Sequence, residues 1–153
     1  KGHLFKCNHS IGIYSFFLLD ISGSMSLDFA VPINKKIKDK KNNMLGAAIE
    51  AIENYCKKRA GNSLKDKCAL ISFNDNSEKI FENYSVEQSD LIVDTCLEHL
   101  KPFGGTKFKK AFEIADEIIK TIDRKEIAPI IILLTDGLDD NPSETLSFLE
   151  KVR

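Results

Sequence analysis

The sequence has no excess of charge of either sign. Its 22 Lys and Arg are set against 23 Asp and Glu, a formal net charge of −1 at pH 7. A balanced chain projects no field that would draw in nucleic acid or an anionic membrane, so any partner is recognised locally. The one basic cluster, Lys35, Lys36, Lys38, Lys40 and Lys41, has no aromatic residue among its lysines to stack on bases. It reads as a solvated loop. Long apolar runs are missing as well. The nearest thing, Ile11 to Leu19, falls far short of the roughly 20 residues of a membrane span and runs straight into Asp20. With Lys1 and Lys6 ahead of it that stretch imitates the core of a secretion signal, and the charged stop excludes that reading. The chain begins with Lys rather than Met, so the expectation is that the true amino terminus lies upstream.

Cysteine is sparse and scattered. Cys7, Cys56, Cys68 and Cys96 form no CxxC pair and no dense secreted-type spacing, which excludes a disulfide framework and predicts reduced, mostly buried thiols. Cys7 and His9 supply two ligands where a zinc module takes about four, so residues 1–11 read as a flank without an assigned role. Catalytic sets are missing too: His3, His9 and His99 stand alone, with no Ser-His-Asp set and no GK[ST] phosphate loop. His99, near the end of a predicted helix, reads as a surface residue favoured by the helix dipole. No internal repeat or low-complexity segment is present.

What remains is the profile of one globular domain. The 153 residues are 42% hydrophobic and 29% charged, enough for a core that needs no staples. Tyr14 to Leu19 is a near-continuous apolar run, as expected of a strand buried on both faces. Residues 25–41 lack apolar periodicity and read as a loop or insertion over that strand's carboxyl end. From Asn43, the residues Leu45, Ala48, Ile49, Ile52, Tyr55 and Cys56 recur at helical spacing as far as Gly61. Cys68 to Phe73 reads as a second buried strand. The turn Asn74 to Ser77 then leads into a short third strand from Glu78 to Tyr84, tight enough for an antiparallel edge hairpin. A helix is expected from about Glu87 to Leu100. A second, starting at Thr106 or just after, carries the clearest amphipathic stripe: Phe108, Ala111, Phe112, Ala115, Ile118, Ile119 and Ile122. Pro129 to Thr135 reads as another central strand, ending at Asp136, and Pro142 opens a last helix with Leu146 and Leu149. Strands alternating with helices imply an α/β sandwich on a mainly parallel sheet, whose ligands bind at the carboxyl ends of the strands.

Those ends carry a distinctive set of oxygens. Asp20-Ile21-Ser22-Gly23-Ser24 places a carboxylate and two hydroxyls on alternate residues directly after a buried strand, hence on one side of an extended turn. Gly23 is expected to allow the tight backbone this requires. Asp136 ends a second strand at the same sheet edge, and Gly104-Gly105-Thr106 adds a third hydroxyl on a flexible loop. Oxygen donors without Cys or His suit Mg²⁺, Mn²⁺ or Ca²⁺ rather than Zn²⁺. Neutral hydroxyls leave such an ion much of its charge. With Asp20 and Asp136 acting mainly through water and by orienting the hydroxyls, an incoming Glu or Asp carboxylate would complete the coordination.

FFLLDISGSMS, PFGGTKF and IIILLTDG resemble, in order, the DxSxS, GGT and T-D-G signatures of the von Willebrand factor A family, over about residues 12–153. The resemblance implies a Rossmann-like three-layer sandwich whose third strand is the antiparallel edge strand. It also implies a metal-ion-dependent adhesion site of Asp20, Ser22, Ser24, Thr106 and Asp136, usually holding Mg²⁺. The family's domain continues with two further strands and a last helix, so the domain at 12–153 is expected to be incomplete, with the strand ending at Asp136 an uncovered apolar edge and poorly soluble. The loop 25–41 looks long for the family and would lie beside the metal.

The functional expectation is therefore a Mg²⁺-dependent module that captures an acidic side chain of a protein partner, without turnover. One alternative is a metal-independent intracellular scaffold within a larger protein. Another is a phosphotransferase using Asp20 as nucleophile, which would want a second acidic residue two positions on, where this chain has Ser22. The reduced-type cysteines point to the cytoplasm, while the triplets Asn8-His9-Ser10 and Asn83-Tyr84-Ser85 fit glycosylation and keep an extracellular location open.

Overall fold

The computed structural model of the chain describes residues 11–29 and 33–152. Cys7, His9 and the first glycosylation triplet lie outside them. Four strands form one sheet in the order β3-β2-β1-β4. β1, Gly12–Asp20, lies parallel to β2, Lys67–Phe73, and to β4, Ile127–Leu134; β3, Ser77–Ser85, runs antiparallel beside β2. The expected mixed sheet, parallel but for one edge strand, is what the chain forms.

Alternation along the strands divides the core in two. Phe17 and Leu19 of β1 face α2, Met44–Arg59, and α3, Ser89–His99, in a cluster with Leu45, Ile49, Ile52, Leu70, Ile92 and Val93. Phe16 and Leu18 point the other way, onto Ala69, Ile71, Phe73 and the Ala111, Ala115 and Ile118 stripe of α4, Lys109–Ile119. Over β1 and β2 both faces of the sheet are therefore covered, which is why these two strands read as unbroken apolar runs. Asn43 caps α2, its side chain accepting the Gly46 N–H at 3.0 Å. A Ser85/Gln88 capping box in a 3₁₀ turn starts α3 two residues later than expected. α5, Pro142–Lys151, starts at its proline as the sequence indicates.

The described parts of the segment 25–41, residues 25–29 and 33–41, hold more regular structure than the sequence suggests. A 3₁₀ turn spans Gly23–Ser26, and α1, Lys35–Lys38, is a single turn capped by Asn34. Asn34 also donates its backbone N–H to Glu50 at 2.7 Å and its amide to Glu53 at 2.6 Å, which ties α1 to α2. Ile33 and Ile37, four residues apart, are buried beneath it; that is one helical repeat, too short to register as periodicity. The lysines are not all solvated either. Lys41 donates from Nζ to the Leu100 carbonyl at 2.6 Å, and burial holds its pKa below the usual lysine value.

β4 is not central. It pairs with β1 alone, and no strand among the described residues flanks its other edge. Ile132 and Leu134 pack on the α2–α3 side, while Ile130, Ile131 and Leu133 are exposed. Cys56, Cys68 and Cys96 are free and fully buried. Burial pushes the Cys96 thiol up to about 12, and contact with Cys56 together with burial pushes Cys68 up. No helix among the described residues is long and apolar enough to cross a membrane.

Candidate metal centre

Parallel strands bring the carboxyl ends of β1, β2 and β4 to one edge of the sheet, and the candidate site is built there from their loops. Asp20, the last residue of β1, is fully buried. A buried carboxylate needs donors, and it has one on each oxygen: the Ser22 N–H at 2.7 Å and the Thr135 hydroxyl at 2.6 Å. Ser22 is extended and leads into the 3₁₀ turn, which swings Ser24 round so that the two serine hydroxyls lie 3.1 Å apart. Ser24 in turn donates to Asp136 Oδ1 at 2.9 Å. Four of the five expected ligands thus form one hydrogen-bonded chain.

Gly23 does not play the part expected of it. Its backbone is not left-handed, and a Cβ there would meet the Gly104 carbonyl at an ordinary 3.5 Å. The left-handed residue in these two loops is Gly104, at φ +79°. Two backbone bonds draw the second loop onto the first: Gly23 N–H to Gly104 O at 3.0 Å and Phe103 N–H to Ile21 O at 2.8 Å. This brings Gly104, two residues before the buried Thr106, against the serine turn through the backbone. Its neighbours are held in the same way. The Gly105 N–H goes to Asp75 at 2.8 Å, the Thr106 N–H to Asp140 at 2.7 Å, the Lys107 N–H to the Asn74 carbonyl at 2.9 Å, and the Phe108 N–H to Asp139 at 3.3 Å. With those N–H groups turned sideways onto other loops, α4, expected to start at Thr106 or just after, begins at Lys109.

The Gly105 N–H and the Lys107 ammonium, 3.3 Å away, hold Asp75 below the usual aspartate value. Asp75, Asp139, Asp140, Asn74 and the hydroxyl of Thr135 are participants that the sequence did not single out. Only Thr135, inside the T-D-G motif, carried a local signal.

The donor set has a definite chemistry. Asp20, Asp136, Ser22, Ser24 and Thr106 offer oxygen only, which suits a hard divalent cation. Among the described residues no three His, Cys, Asp or Glu side chains converge on a common metal-sized hole. A cation at this edge would therefore rely on neutral hydroxyls for much of its coordination. Since both oxygens of Asp20 already accept protein hydrogen bonds, that carboxylate is suited to orienting the turn or holding metal-bound water.

A family model for the von Willebrand factor type A domain matches residues 16–138. None of the curated proteins matches the chain in sequence. Solved structures similar to it include a von Willebrand factor type A protein from Catenulispora acidiphila, with TM-score 0.65 and 19% identity over 92% of this chain and 30% of that one. Proximal thread matrix protein 1 from the mussel byssus, with a zinc-occupied MIDAS motif, is similar at TM-score 0.61 and 20% identity, over 94% of this chain and 34% of that one. The vWF domain of the type V pili tip protein Mfa5 from Porphyromonas gingivalis gives TM-score 0.61 and 20% identity, over 84% and 39%. The chain thus spans well under half the length of each, and identities this low carry the fold alone.

Proposed function

This chain belongs to the von Willebrand factor type A domain family, and from that premise we propose that it is a protein-binding module whose Asp20, Ser22, Ser24, Thr106 and Asp136 hold a divalent cation that captures a partner's Asp or Glu. The observation that carries the reading is the Ser22–Ser24–Asp136 chain of hydrogen bonds, which joins hydroxyls and a carboxylate 112 residues apart in sequence. Mg²⁺ is the ion proposed, with Mn²⁺ or Ca²⁺ as substitutes. When bound, it supplies a positive centre that neutral hydroxyls leave incompletely neutralised, open to an anionic ligand.

The rim supports a protein partner. Each of the three loops exposes a large apolar side chain close to its ligand residues: Leu27 at 59%, Phe103 at 61% and Leu138 at 89%. Exposed apolar groups around a polar centre suit a protein surface on which apolar residues flank the acidic one. A phosphotransferase role for Asp20 fits less well, because a carboxylate that is fully buried and hydrogen-bonded at both oxygens is a poor nucleophile. For compartment, the three free buried thiols favour the cytoplasm.

Calorimetry with Mg²⁺, and with Zn²⁺ as competitor, tests the assignment. The double variant Ser22→Ala, Ser24→Ala is expected to lose at least about tenfold in Mg²⁺ affinity while keeping its melting temperature close to that of the parent. Undiminished Mg²⁺ affinity in that variant would leave the metal-independent scaffold as the better reading. Hydrolysis of phosphate esters that Asp20→Asn abolishes would instead make the chain an enzyme.

A further inference from the structure

Thr106 has to be presented from a loop that begins Gly104-Gly105, the pair with the greatest backbone freedom in the chain. Left free, such a loop would lose conformational entropy at each residue fixed when a cation ordered it. Something must fix it in advance for the hydroxyl to be useful. We propose that Asp140 is the positioning residue that does so, clamping Thr106 into place before the cation arrives. This rests on the metal-binding reading above and extends it to a residue outside the ligand set.

The clamp has two bonds. Asp140 Oδ2 accepts the Thr106 N–H at 2.7 Å, and the Asp140 N–H donates to the Thr106 carbonyl, also at 2.7 Å. Those two groups belong to the peptide units on either side of the Thr106 Cα, so together they fix both of its backbone torsions and with them the point from which the hydroxyl projects. Asp140 lies four residues beyond Asp136 in the same loop. The segment that carries one carboxylate ligand therefore holds the segment that carries the third hydroxyl.

On the opposite side Asp75 accepts the Gly105 N–H at 2.8 Å. The two carboxylates straddle the loop so closely that a Cβ at residue 105 would lie 2.6 Å from Asp140 Oδ2 and 3.0 Å from Asp75 Oδ1. The double glycine is thus the shape that lets the clamp close. Asp75 is also paired with Lys107, whereas Asp140 enters no ion pair among the described residues, so its hydrogen bonds rather than a salt bridge carry its contribution.

Asp140→Ala removes the side-chain acceptor. Asp140→Asn removes the charge and keeps an acceptor oxygen, which separates positioning from simple attraction of a cation by negative charge. Both are made in the full chain and read in two ways: amide hydrogen exchange at Thr106 without metal, and Mg²⁺ affinity by calorimetry. Asp140→Ala is expected to speed Thr106 exchange and to weaken Mg²⁺ binding about tenfold or more, as loss of an outer-shell partner does. Asp140→Asn is expected to keep both close to the parent. Parent-like Mg²⁺ affinity in Asp140→Ala overturns the proposal, and so does Asp140→Asn losing affinity and Thr106 protection, a result that stands even if Asp140→Ala does not fold. Failure of the parent chain to bind Mg²⁺, Mn²⁺ or Ca²⁺ sinks the metal reading as well, and is distinguished from the other outcomes because it appears before any substitution is made.

Discussion

Gly105 sits between two carboxylates that leave no room for a methyl group. Gly105→Ala must push Asp140 or Asp75 aside, so it is expected to cost about 1–3 kcal/mol, the range for overpacking a close-fitting site. The check is a shift of the urea midpoint at unchanged slope, with metal affinity falling in parallel. Cysteine gives a second prediction at this scale. Only the thiolate reacts readily; in Cys68 contact with Cys56 and burial disfavour it and in Cys96 burial does, while all three described thiols have no exposed surface. Iodoacetamide applied to the native protein should leave Cys56, Cys68 and Cys96 unmodified in peptide maps, and all three should react in guanidinium. The residues of the candidate site were unevenly legible. Asp20, Ser22, Ser24 and Asp136 stand out because an apolar strand run leads into each of their two segments and the spacing within the first is local. Asp75 and Asp140 do not, because their partners, Gly105 and Thr106, lie 30 and 34 residues away, and an aspartate in a turn looks the same whether it caps its own loop or a distant one.

Helices α2 and α4 could be read from period alone, since each carries its apolar stripe for several turns. α1 could not, because one turn built on Ile33 and Ile37 leaves no repeat to detect. Its attachment to α2 sets up a test in which two effects of known size oppose each other. An alanine in place of a helical glycine ordinarily stabilises by up to about 1 kcal/mol. At Gly46, however, the new Cβ would lie 2.0 Å from the Lys41 carbonyl oxygen, and 3.4 Å from Ile33 Cδ1. Lys41 has little freedom to withdraw, because its N–H bonds to the Ile37 carbonyl at 2.7 Å and its ammonium to Leu100. The steric effect wins, and Gly46→Ala should destabilise by about 1–3 kcal/mol rather than stabilise. Chemical denaturation gives the sign directly, and an increase in stability would show that the segment 33–41 is not docked as described.

For the molecule as a whole, the alternation of strands and helices made the mixed sheet and its layers legible, and the tight Asn74 to Ser77 turn made β3 an edge strand. The edge position of β4 was legible only through the family resemblance, since its run alone reads as a central strand. An unbroken run such as Ile130 to Leu134 records that a strand is meant to be covered, and says nothing about what covers it. In the described fold β4 offers β1 one edge and leaves the other unpaired, with Ile130, Ile131 and Leu133 exposed along it. Unpaired N–H and C=O groups beside apolar side chains are a template for a second strand. The 153-residue chain is accordingly expected to self-associate as its concentration rises, with light scattering reporting a growing mean mass. A charge on the edge opposes strand addition, so Ile131→Lys should lower the association at a given concentration. The parallel register that pairs Phe16 with Ile131 rests on backbone hydrogen bonds and survives the change, so the far-ultraviolet circular dichroism should be that of the parent. A parent chain that stays monomeric over the same range, or an Ile131→Lys variant that associates just as strongly, would show that the open edge of β4 is not what brings copies together.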